Sequence, residues 1–142
     1  MPDVKPLADD LFVCAFVPPE KLADVAPAFR TIINNRPDGE EPGQPSSAEI
    51  EAEARRLGLD YVHLPAVPGK ITDEQAAAFG NAIATRKGPI LAFCRTGARA
   101  ATLWALSQVG KRSPEDILKT AAAAGYDLNT LKPKLEEKAP TQ

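Results

Sequence analysis

Short apolar runs alternate with amphipathic stretches along the chain, and proline and glycine punctuate the joins. Leu11–Val17 is apolar on both alternating faces, the pattern of an interior strand covered on both sides. Phe29–Asn34, Leu59–Leu64 and Ile90–Phe93 read as three further strands, the last opened by Gly88-Pro89. Between them lie helical signatures. Pro18-Pro19-Glu20 opens a short helix with Leu22, Val25 and Ala26 on its apolar face, and Pro27 kinks or ends it. Ser46 and Glu49 have capping-box spacing ahead of Ile50, Ala54 and Leu57, with a stop at Gly58. Thr72 and Gln75 repeat that spacing before a helix through Phe79 and Ile83 that ends near Lys87-Gly88.

Downstream, Ala100–Val109 is helical up to Gly110, and Ser113-Pro114 starts a helix that runs to Gly125. Leu128, Leu131 and Leu135 mark a last helix, interrupted at Pro133 and fraying after Lys138. Residues 1 to 10 read as a polar lead-in. Strands that alternate with helices predict an α/β fold: a mostly parallel sheet of four to five strands with helices on both faces. The 142 residues suit one domain, with a core over about residues 10–125 and a helical C-terminal extension.

Composition narrows the function more than the fold. A formal charge of -2 with both signs interspersed supplies no field for nucleic acid or a membrane surface. Leu11–Val17 is too short for a signal segment or a membrane span. Two distant cysteines make no disulfide framework, and a reactive thiol needs a reducing compartment, so a cytoplasmic location is expected. His63 is the single histidine, and no Cys-x-x-Cys pair exists, so neither a metal nor another cofactor is expected. It reads as a packed or hydrogen-bonded strand residue, with a pocket-lining role as the other reading. Cys14 belongs to the first apolar run and reads as core, unless it approaches Cys94 as a resolving thiol. The oligomeric state is left open.

The chemistry gathers between the last strand and the helix after it, in Cys94-Arg95-Thr96-Gly97-Ala98-Arg99. Sites in parallel α/β sheets form beyond the carboxyl ends of strands, which is where this loop falls. A cation at a helix N-terminus opposes the macrodipole, so Arg99 calls for an anion beside it. Free loop N–H groups and the guanidiniums of Arg95 and Arg99 form an anion receptor. Such a setting favours a thiolate on Cys94, the nucleophilic form. A buried structural cysteine is the bland alternative. Arg36, Asp38 and Glu40, in the Pro- and Gly-dense stretch 35–45, are placed either to border the anion site or carry protons, or to form a solvated connector in which Asp38-Gly39 only makes a turn.

Several stretches together resemble the bacterial beta-lactamase hydrolase-like protein family, in its phosphatase-like domain. They are Ile33-Asn34-Asn35-Arg36-Pro37-Asp38-Gly39-Glu40, Gln44-Pro45-Ser46, Gly58–Pro65, the Cys94–Arg99 loop and Leu103-Trp104-Ala105. The resemblance spans roughly residues 10 to 110 and implies the fold of tyrosine and dual-specificity phosphatases. Similar domains occur fused to persulfide-oxidising metallo-hydrolase-like domains, for which this chain is too short. Two departures stand out. Tyrosine phosphatases place five residues between cysteine and arginine, whereas four separate Cys94 from Arg99, a spacing similar to rhodanese-type loops. Phe93 stands where a histidine usually precedes the cysteine, and Pro65–Lys70 offers no carboxylate as general acid before Asp73.

Phosphate ester cleavage gains about 10²–10⁴ in rate from a proton donated to the leaving oxygen, while sulfur transfer has no alkoxide to protonate. On that ground the expected function is a sulfurtransferase that carries a persulfide on Cys94. Cys94 and Arg99 are the catalytic pair; Arg95, Thr96, Gly97, Ala98, Arg36 and Asp38 bind a small anionic substrate such as thiosulfate or a persulfide. The alternative is a phosphatase acting on a phosphate ester through a phosphocysteine, with Asp38 or Asp73 as acid. An inactive anion-binding relative is the third reading.

Overall fold

The computed structural model describes residues 3–138. Five strands form one sheet in the order β1-β2-β5-β3-β4: β1 (Lys5–Ala8), β2 (Leu11–Cys14), β3 (Thr31–Asn34), β4 (Asp60–His63) and β5 (Ile90–Phe93). The pairs β2–β5, β5–β3 and β3–β4 are parallel, as the alternation of strands and helices predicts. Only β1 runs antiparallel, on the edge.

That strand corrects the expected polar lead-in over residues 1 to 10. Lys5 pairs with Val13 and Pro6 with Phe12, and Leu7 alone is buried. An edge strand with one buried side chain shows no apolar alternation, and it tolerates a proline in place of a donor. The signal in the sequence was the turn. Asp9-Asp10 is a two-residue link, and Asp10 takes a left-handed φ of 59°, which aspartate accepts more readily than most residues.

Side-chain alternation along β5 explains why helices cover both faces. Ile90 and Ala92 point into a core with Phe79 of α3 (Asp73–Thr85), Trp104 and Leu103 of α4 (Ala98–Ser107) and Ile117 of α5 (Pro114–Ala123). Leu91 and Phe93 point the other way. They pack with Leu22 and Val25 of α1 (Leu22–Val25) and Ile50 and Ala54 of α2 (Ser47–Arg56). Every residue of β5 is buried, as expected of a parallel strand covered on both sides.

Capping sets the helix starts. Ser46 Oγ accepts the Glu49 N–H, and Thr72 with Gln75 makes a full capping box. Pro27 falls inside a 3₁₀ turn, Ala26–Ala28, directly after α1. Pro133 lies in the first turn of α6 (Lys132–Lys138) rather than interrupting it, because a first-turn residue needs no N–H. The fraying anticipated after Lys138 falls outside the described residues. Among the described residues no helix is long and apolar enough to cross a membrane.

Candidate active site

The C-terminal ends of β2, β3 and β5 meet where Cys94 leaves the sheet. Asn35 N–H donates to the Phe93 carbonyl at 2.8 Å, and Phe16 N–H donates to the Arg95 carbonyl at 3.2 Å, so neighbouring strand ends brace the loop from both sides. Gly97 then turns the chain with φ of 97° and caps α4, which begins at Ala98, two residues earlier than the apolar pattern suggests. A Cβ at Gly97 would lie 2.2 Å from the Tyr126 hydroxyl and 3.2 Å from the Cys14 carbonyl oxygen. Both the sign of φ and the closeness of Tyr126 therefore require glycine here.

This turn aims the Gly97 N–H at Cys94 Sγ, 3.1 Å away. Cys94 has no accessible surface. Thr96 Oγ1 accepts the Ala98 N–H at 3.3 Å and so shapes the loop. Phe93, in place of a polar residue, is fully buried and meets the Phe16 ring edge-to-face at 5.6 Å. Phe16 in turn lies beneath the Arg36 guanidinium, 4.8 Å from ring centroid to carbon.

The anion that Arg99 requires is Glu40. Arg99 Nη1 donates to Glu40 Oε2 at 2.5 Å and Nη2 donates to Oε1 at 3.0 Å, while Nη1 also donates to the Ala66 carbonyl at 2.9 Å. Three of the five guanidinium N–H groups are committed, and the other two have no partner among the described residues. Arg36 Nε donates to the same Glu40 Oε1 at 2.9 Å, and both arginines are buried. The Arg99 hydrogen bond first, reinforced by Arg36 and by both positive charges, holds the Glu40 carboxyl below the usual carboxylate range despite its partial burial. Glu40 is thus ionised at neutral pH.

Other sequence-assigned residues fall into place differently. Arg95 is exposed and pairs with Glu41 at 2.8 Å. Arg36 stands behind Glu40, shielded by Phe16, and supports the site without reaching its mouth. Asp38 Oδ1 accepts the Ser47 N–H at 2.7 Å at the start of α2. Asp73 is tied to Lys138 at 2.6 Å at the N-terminal end of α3. Neither carboxylate is among the residues lining the cavity at the loop, which are Glu40, Pro68, Arg95, Thr96, Ala98 and Arg99. His63 hydrogen-bonds the Arg36 carbonyl through Nε2 at 2.8 Å, the packed role expected of it.

Cys14 is the core residue that the first reading made it, and its closeness to the loop does not by itself make it a resolving thiol. It is buried core, and it lies beside the loop, paired across the sheet with Phe93. Burial first, then the neighbouring Cys94, push its thiol up to about 12. Burial and the two sulfurs likewise push the Tyr126 hydroxyl up. The sequence reading missed Tyr126, which no motif marks, and the pinning role of Glu40. The requirement for an anion beside Arg99 was the available signal for Glu40.

A cysteine at the end of a central parallel strand, a glycine-turned loop and an arginine in the first turn of the following helix define a phosphatase-like, cysteine-based domain with a tyrosine-phosphatase-like fold. The family model for the beta-lactamase hydrolase-like protein, phosphatase-like domain, matches residues 3–111, and the chain belongs to that family. It is 42% identical over 113 residues to a beta-lactamase hydrolase-like protein of Xylella fastidiosa (strain 9a5c), covering 78% of this chain and 26% of that protein. The chain spans about a quarter of the length of the curated relatives it matches.

Among solved structures, a candidate phosphatase from Neisseria meningitidis Z2491 is 28% identical with a TM-score of 0.84, over 94% of this chain and 96% of that one. A kinase associated phosphatase shares the fold at 16% identity and a TM-score of 0.72, over 96% of this chain and 92% of that one. These relatives favour the phosphatase alternative over the sulfurtransferase expected from the loop spacing and the missing proton donor.

Proposed function

We propose that the domain is a cysteine-dependent phosphatase that hydrolyses phosphate monoesters through a phosphocysteine at Cys94. The observation that carries this reading is the arrangement at the end of β5: a sulfur faced by a loop N–H, and an arginine pinned with two donors uncommitted. The phosphoryl oxygens accept from the loop N–H groups and from those two Arg99 donors. Cys94 sulfur attacks phosphorus in line, the P–S bond forms, and the P–O bond to the alcohol breaks. Water then attacks phosphorus and the P–S bond breaks, so that inorganic phosphate leaves and the Cys94 thiolate is regenerated. Cys94 has no exposed surface and is not among the residues lining the cavity, so this reading requires side chains at the mouth to move aside before the ester reaches the sulfur.

The leaving oxygen defines the substrate further. Glu40 is the one carboxylate among the residues lining the cavity, and as an ionised partner of two arginines it has no proton to give. Esters of acidic alcohols such as phenols are the substrates that such a site cleaves best.

Intact-mass spectrometry after separate brief exposure to an aryl phosphate, thiosulfate and glutathione persulfide tests the reading. A phosphoryl group retained on Cys94 is the expected result. Retention of a sulfur atom in its place assigns a sulfurtransferase, and aryl phosphate turnover that survives Cys94→Ser rules out the phosphocysteine.

A further inference from the structure

A second cavity opens beside the first, and the two share Pro68, Ala98 and Arg99 in their walls. This groove, of about 320 Å³, runs from Arg99 between α4 and the start of α6. Its walls are largely apolar: Ile71, Leu106 and Leu131 line it with Pro68. The charged residues in its lining are Arg99 and Lys134, both cationic. An apolar trough that continues from an anion receptor and carries a second cation matches a ligand with an anionic head, an apolar body and a further anionic substituent.

We infer that this groove selects the substrate body, and that the preferred substrate is the phosphate monoester of an aromatic alcohol carrying a second negative group that Lys134 attracts. The inference rests on the phosphatase reading for its chemistry. An aromatic alcohol is also the leaving group that a site without a proton donor requires. The groove's own contribution is recognition, which is measurable without turnover.

Titration calorimetry with methylphosphonate, benzylphosphonate and 4-carboxybenzylphosphonate provides the test on the wild-type chain. Burial of the ring is expected to tighten binding about tenfold or more over methylphosphonate. The carboxylate is expected to add about threefold, the usual scale of a partly exposed ion pair. Leu131→Asp should abolish the ring's gain relative to methylphosphonate measured on the same variant, and Lys134→Ala should abolish only the gain from the carboxylate. Since Leu131 packs against the core, Thr102→Glu, at a half-buried position on the groove wall, gives a second variant that places a carboxylate in the trough. Equal affinity for methyl- and benzylphosphonate, or a ring gain that survives both Leu131→Asp and Thr102→Glu, overturns the inference. Absence of p-nitrophenyl phosphate turnover together with an intact ring gain overturns the hydrolase reading and leaves the groove assignment standing.

Discussion

In Glu40→Gln the carboxylate between two buried guanidiniums becomes an amide of nearly the same shape. If the amide oxygen takes the place of Oε1, it keeps the contacts from Arg99 Nη2 and Arg36 Nε, and the amide nitrogen then faces Arg99 Nη1, donor against donor. A hydrogen bond between charged groups contributes about 1.5–3 kcal/mol. Removing one partner of a buried pair costs about 3–5 kcal/mol. The Glu40 side chain is 20% exposed and that of Arg99 9%, so water relieves part of the lost countercharge. A destabilisation of about 2–3 kcal/mol is therefore expected, corresponding to a fall of roughly 6–10 °C in Tm for a chain of this size.

The effect has a signed pH dependence. The folded-state pKa of Glu40 is depressed, so its stabilisation is complete above the ordinary glutamate value and is lost as pH falls through the lower folded value. The difference in Tm between wild type and Glu40→Gln should be full at pH 7 and shrink in acid. Because Arg99 loses its alignment, kcat for an aryl phosphate should fall about 10- to 100-fold. Thermal melts from neutral to acid pH and steady-state kinetics at neutral pH provide both readouts. A variant with unchanged Tm, or with raised kcat/KM, refutes the reasoning; in the second case Glu40 is a competitor of the substrate rather than the support of Arg99.

Three further outcomes follow from the same geometry. Gly97→Ala forces a left-handed φ on alanine and drives its Cβ against Tyr126, so it should cost about 2–3 kcal/mol and most of the activity; Tyr126→Phe should restore only the steric part, read by Tm. Asp38→Ala removes the acceptor at the start of α2 and should cost about 1 kcal/mol while leaving kcat within about twofold, which separates its structural role from that of a general acid. The Cys14 thiol, pushed up to about 12, stays protonated at pH 8 and should resist iodoacetamide in the folded protein and react once it is unfolded, as peptide mapping would show.

Local pattern made much of the fold legible. The four parallel strands, the capped helices and the loop at Cys94 all lie where runs of apolar residues, Ser and Thr caps and glycines place them, because each is decided by neighbours a few positions away. β1 escaped because an edge strand with one buried residue has almost no periodic signal, although the Asp9-Asp10 turn announced it. Asp38 and Glu40 shared one loop and one charge, and nothing local told a helix-capping carboxylate from one that pins an arginine 59 residues away.

By itself the sequence determined that a cysteine would end a buried strand, that glycine would turn the chain, and that Arg99 would need an anion near the start of its helix. Those are consequences of burial, backbone sterics and the helix dipole, which act within a few residues. Only the tertiary structure decided which carboxylate answers Arg99, that Cys14 and Tyr126 both flank Gly97 of the loop, and that an apolar groove leads away from the loop toward α6. Those depend on how strand ends and helices from distant parts of the chain converge. Packing of the sheet sets that convergence, and no short window of residues contains it.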